Sequence, residues 1–130
     1  MESANQVDIV LVEDDDYDAE LSLRQLNKHP FVNSAIHFQY AELAFEYLLS
    51  TPQLPKIVLI DLGLNGMSGL EFLKKIRSDK RTKNTRAAVI SGSTYAKEEV
   101  SQYLSDKSYY FEKPLNINKV IHVMCPIEQN

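Results

Sequence analysis

Short apolar runs alternate with segments of helical periodicity five times along this chain. Val7 to Val12 is apolar on consecutive positions, apart from Asp8, and reads as a strand buried on both faces. Tyr17 to Lys28 follows as a helix, with Ala19, Leu23 and Leu26 on one stripe, aspartates before it and His29-Pro30 after it. Ala35 to Gln39 is a weaker strand, and Ala41 to Leu49 a helix with Ala41, Ala44, Phe45 and Leu48 in register. Ile57 to Ile60 is a third strand, followed by a loop holding Gly63, Gly66 and Gly69. Leu70 to Arg77 (helix), Ala87 to Ile90 (strand), Ala96 to Leu104 (helix), Tyr109 to Glu112 (strand) and Asn116 to Met124 (helix) complete the series. Five such units predict an α/β fold: a doubly wound, five-stranded parallel sheet flanked by five helices, flavodoxin-like, with strand order 2-1-3-4-5.

That order makes strands one and three neighbours at the switch point, where ligands bind outside the carboxyl ends of the strands. The first run leads into Glu13-Asp14-Asp15-Asp16 and the third into Asp61, while the fourth ends at Ser91 and the fifth at Lys113, followed by Pro114. The predicted edge therefore carries acids, one hydroxyl and one ammonium. Crowded carboxylates either hold a cation or repel one another, and Mg²⁺ suits a few carboxylates with water and phosphate oxygens. The set fits phosphoryl chemistry on a carboxylate. Asp61 is the candidate nucleophile, Asp14 with Glu13 the candidate metal pair, Lys113 the neutralising cation and Ser91 a hydrogen-bond donor to a phosphate oxygen. Helix capping explains at least one of the neighbouring Asp15 and Asp16, and Asp16 is better explained as a cap than as a ligand.

Composition narrows the class without changing this picture. The chain has 130 residues, 44% hydrophobic and 25% charged, which suits a single domain. No apolar stretch approaches membrane-spanning length, and the N-terminus has no signal-peptide pattern. Cys125 is the only cysteine, which suits a reducing, cytoplasmic setting. The net charge of −4 gives no footprint for nucleic acid. The basic cluster Lys74-Lys75, Arg77, Lys80-Arg81, Lys83 and Arg86 reads as a solvated helix face and loop. His29, His37 and His122 share no metal-ligand spacing with each other or with Cys125, and read as surface or satisfied side chains.

Leu11-Val12-Glu13-Asp14-Asp15, Asp61-Leu62-Gly63-Leu64, Met67-Ser68-Gly69, Ser91 and Lys113-Pro114, in that order at strand ends, resemble the receiver domain of bacterial response regulators from Asp8 to about Met124. Tyr17-Asp18-Ala19-Glu20-Leu21 and the segment from Arg77 to Lys83 are similar to stand-alone receivers that serve phytochromes and related sensor kinases. The resemblance implies a phosphoprotein of a two-component system. It would be a phosphoacceptor with only Mg²⁺-dependent self-phosphorylation and self-dephosphorylation, and not an enzyme in the usual sense. It casts Asp61 as phosphoacceptor, Asp14 and Asp61 as direct metal ligands beside Glu13, and Gly63 as a ligand through its backbone carbonyl. Ser91 and Tyr110 become the switch pair, Lys113 the phosphate-pairing lysine and Lys113–Pro114 a cis peptide. Expected partners are a sensor histidine kinase, phytochrome-like in the narrower match, and a downstream or phosphotransfer protein. A second copy could bind through the face of helix four, strand five and helix five. No output domain is expected in residues 1–130. Asn65 stands where the family often has proline. Gly63 and Ser93, flanking the line of water attack, offer no carboxylate or amide, so modest self-dephosphorylation is expected.

Three other readings compete. An aspartate-nucleophile phosphatase places Asp-x-Asp-x-Thr after strand one, but Asp14-Asp15-Asp16-Tyr17-Asp18 lacks the threonine. A flavin carrier needs a phosphate loop where this chain has four acids. A phosphate-independent binding module of the same fold need not keep the full set of acid, hydroxyl and lysine.

Overall fold

The computed structural model describes residues 7–64, 66–92, 97–104 and 109–124. Strands β1 (Ile9–Val12), β2 (Ala35–Phe38), β3 (Ile57–Asp61), β4 (Ala87–Ser91) and β5 (Tyr110–Glu112) form one sheet in the order β2-β1-β3-β4-β5, and every pairing is parallel. Between them run α1 (Asp16–Lys28), α2 (Ala41–Ser50), α3 (Gly69–Ser78), α4 (Lys97–Ser101) and α5 (Ile117–Met124). Four of these are helices of eight residues or more, and α4 is a five-residue segment.

The shortness of α4 corrects the expected helix from Ala96 to Leu104. The amides of Tyr103 and Leu104 donate to the carbonyls of Val100 and Ser101, three residues back, so the chain tightens into turns after Ser101. Of the sequence expectations, Ala96, Asn65, Ser93 and Cys125 lie outside the described residues. Among the described residues, no helix is long and apolar enough to cross a membrane.

The sheet separates two apolar cores, because successive side chains of a strand point to opposite faces. Val10, Val12, Val58, Ile60 and Val89 pack with Leu48 of α2 and Phe72, Leu73 and Ile76 of α3. Ile9, Leu11, Leu59 and Ile90 pack on the other face with Ala19 and Leu26 of α1 and Val120 and Ile121 of α5. Burial on both faces is why β1 and β3 are unbroken apolar runs. Parts of the basic cluster are structural rather than merely solvated. Arg77 Nε donates to Tyr103 O at 2.6 Å and its Nη1 to Thr85 O at 2.7 Å, tying α3 to the chain after α4. Arg81 donates to the carbonyls of Leu48 and Thr51, and Arg86 to those of Val123 and Met124.

Candidate functional site

The carboxyl ends of β1, β3, β4 and β5 open into a cleft of about 640 Å³ whose walls include Glu13, Asp14, Asp61, Gly63, Ser91 and Lys113. Each arrives there for a local reason. The β1 ladder ends with the Glu13 amide donating to Phe38 O at 3.1 Å, and the chain then turns into α1. Asp15 caps that helix, its side chain accepting from the Asp18 amide at 2.9 Å, while Asp16 is the first helical residue. One of the two acids read as a cap does cap the helix, and it is Asp15 rather than Asp16. Asp61 is the last residue of β3 and is 5% exposed. Ser91 ends β4, and Lys113 follows β5 with its amide donating to Ser91 O at 2.9 Å. The Lys113–Pro114 peptide is cis.

Both Asp61 oxygens have partners: Oδ1 accepts from the Gly63 amide at 2.9 Å, and Oδ2 lies 3.3 Å from Lys113 Nζ. The same ammonium is 3.8 Å from Glu13 Oε1. One carboxylate oxygen from each of Glu13, Asp14 and Asp61 falls within 4.8 Å of the others, an arrangement able to hold a metal ion. Glu13 is 4% exposed, and burial pushes its carboxyl up to about 8, helped by the hydrogen bond and negative charge of Asp61. The Asp15 amide and the Lys113 charge pull the other way and lose. Burial lowers the Lys113 ammonium, but the charges of Asp61 and Glu13 outweigh it and hold the group above its usual range. Burial first, and the neighbouring Asp61 second, therefore leave Glu13 holding a proton at neutral pH, in a site short of positive charge. Hard oxygen donors at this spacing suit a small divalent cation.

Several further contacts support these residues. Ser68 and Glu71 form a capping box at the start of α3, an S-x-x-E pattern visible in the chain. Gly66 adopts φ 72°, and the neighbouring Met67 amide donates to Glu42 of α2 at 3.4 Å. His37 Nε2 lies 2.6 Å from Glu13 O, so this histidine is satisfied. Gly69 lets α3 press against the back of the site, because a Cβ there would sit 2.9 Å from Asp61 O and 3.0 Å from Leu62 Cα. Gly69→Ala should displace this backbone at a cost of about 2 kcal/mol, lowering the thermal midpoint by roughly 6 °C. Calorimetry of the two proteins checks this. Tyr110 is buried in the core under α3 and α4, at 7% exposure.

The sequence model described as the response regulator receiver domain matches residues 9–124. The probable methanogenesis regulatory protein FilR2 of Methanothrix harundinacea is 28% identical over 99% of this chain and 86% of its own. The solved bacteriophytochrome response regulator AtBRR is 25% identical, with a TM-score of 0.78 over 92% of this chain and 91% of its own. A sensor protein from Polaromonas sp. JS666 is 27% identical, with a TM-score of 0.77 over 92% and 94% of the two chains. The strand order, the acidic cleft and the extent of the family match agree, and this chain belongs to the response regulator receiver domain family.

Proposed function

We propose that this receiver takes a phosphoryl group on Asp61 from a sensor histidine kinase and passes the signal on through a change in its α4-β5-α5 face. The observation that carries this reading is the setting of Asp61, held by the Gly63 amide and facing Lys113 Nζ, beside Glu13 and Asp14. An Asp61 oxygen attacks the phosphorus of a phosphohistidine. The P–N bond breaks, the imidazole leaves with its electron pair and takes up a proton, and a mixed anhydride remains on Asp61. Glu13, Asp14, Asp61 and the Gly63 carbonyl would hold Mg²⁺, which supplies positive charge opposite the phosphoryl oxygens. Lys113 would neutralise the same oxygens.

Ser91 lines the cleft and can donate to a phosphoryl oxygen. Tyr110 already lies in its buried setting, so movement of Ser91 would hold it there. A groove of about 520 Å³ runs along β5 from Tyr110 to Pro114 and reaches Asn116 and Lys119. Readout by a downstream or phosphotransfer protein, or by a second copy, is assigned to this side. The likeness to AtBRR supports a phytochrome-like kinase as the donor. The phosphatase reading loses ground, because its second acid would be Asp16, which is exposed on α1 and absent from the cleft wall.

The test is incubation with Mg²⁺ and a small acyl-phosphate donor, followed by assay for an acid-stable, base-labile phosphoryl adduct. No adduct on the wild-type chain would favour the phosphate-independent binding module. Lys113→Ala should keep the fold, since its side chain is about one-third exposed, and should slow labelling by roughly 100-fold. Rates of adduct formation in the two proteins check this.

A further inference from the structure

His37 sits on the edge strand β2, paired in register with Leu11, and its ring reaches forward to the turn after β1. Its Nε2 is 2.6 Å from the carbonyl oxygen of Glu13. A carbonyl can only accept, so Nε2 carries the proton and the ring donates. Glu13 is then held at three points. Its amide donates to Phe38 O at 3.1 Å, its carbonyl accepts from His37, and its Oε2 accepts from the Asp15 amide at 3.2 Å. The first two both come from β2, although no β2 side chain is a wall of the acidic cleft. The next residue, Asp14, supplies another oxygen of the acidic triad. A rotation of the Glu13–Asp14 peptide would turn the chain at Asp14 and carry its carboxylate away from Asp61, and the His37 bond opposes that rotation.

We infer that His37 is a positioning residue for the cation site: through the Glu13 carbonyl it sets the turn that aims Asp14 at Asp61 beside Glu13. The inference rests on the proposed Mg²⁺ site, and its test separates the two. Mg²⁺ binding is measured by titration calorimetry on wild-type, His37→Phe and His37→Gln chains, with thermal midpoints recorded in chelator. Phe keeps the ring and removes the donor. Gln places an amide N–H near the Nε2 position.

Loss of an outer partner of this kind weakens metal binding by roughly 10- to 100-fold. The expected result is a loss of about tenfold or more in His37→Phe and recovery to within about threefold in His37→Gln. The midpoints of the two variants in chelator should match, which a merely structural role would not produce alongside different affinities. Equal Mg²⁺ affinity in wild-type and His37→Phe overturns the positioning role and leaves the proposed function standing. If His37→Phe does not fold, His37→Asn, whose amide is too short to reach, replaces it against His37→Gln. Equal affinity in that pair overturns the role as well. Failure of the wild-type chain to bind Mg²⁺ sinks the cation site itself, and this inference with it.

Discussion

Asp61→Asn should abolish labelling by a small phosphodonor, cutting the rate by roughly 1,000-fold or more, while making the metal-free protein more stable. The two effects share one cause. The carboxylate proposed to attack phosphorus is also a negative charge forced against buried Glu13, and it accounts for part of the rise in the Glu13 carboxyl to about 8. Asparagine keeps an oxygen for the Gly63 amide, so the bond now made at 2.9 Å can persist. Lys113 keeps Glu13 as a partner, 3.8 Å away. Removing the like charge should therefore raise metal-free stability at pH 8 by about 1 kcal/mol, or roughly 3 °C in thermal midpoint. Mg²⁺, with one carboxylate fewer to bind, should add less stability to the variant than to wild type. Labelling assays and melting curves on the same preparations check both halves. Labelling of the variant at the wild-type rate would move the acceptor to another residue.

This tension between site and stability was partly legible in the chain. Glu13, Asp14 and Asp61 directly follow or end runs so apolar that only strands buried on both faces accommodate them, and the register does bring those ends together. Ser91 and Lys113 follow from the same logic at β4 and β5. The weaker signals failed where tertiary structure overrides local pattern. A stripe through Val100, Tyr103 and Leu104 has helical spacing, yet the chain turns after Ser101, with the Tyr103 carbonyl held by Arg77 from α3. Nothing in a single sequence pairs an arginine with a backbone carbonyl 26 residues away. The requirement for glycine at position 69 arises from the approach of α3 to Asp61 O, a contact across the β3–α3 loop. His37 is satisfied, one of the two readings open for it, but its partner, a carbonyl 24 residues earlier, has no local signal. Local chemistry could have done better at the helix starts. Asp15 rather than Asp16 caps α1, and Ser68-x-x-Glu71 announces α3.

The pH dependence of the metal-free protein should run opposite to that of an ordinary salt-bridged carboxylate. Glu13 lies near 4.5 when the chain is unfolded and is raised to about 8 in the fold, by burial first and by Asp61 second. Below about pH 4.5 both states hold the proton, and the contribution of Glu13 to stability is complete. Between that value and about 8 the unfolded chain releases the proton and the folded chain keeps it, so stability falls as pH rises. Above about 8 the loss is complete. The total is on the order of a few kcal/mol, enough to lower the midpoint by about 10 °C from pH 5 to pH 8.5 in chelator. Glu13→Gln has no proton to lose there and should flatten the slope. Saturating Mg²⁺ should flatten the slope in the wild-type chain, because neither the metal-bound fold nor the unfolded chain then holds the Glu13 proton. Binding must displace the Glu13 proton within this window, so the apparent affinity should rise by up to about tenfold per pH unit. Melting curves across pH, with chelator and with Mg²⁺, measure both slopes. A wild-type midpoint that climbs with pH in chelator would mean that Glu13 is ionised in the folded protein and that the acidic triad is relaxed without a cation.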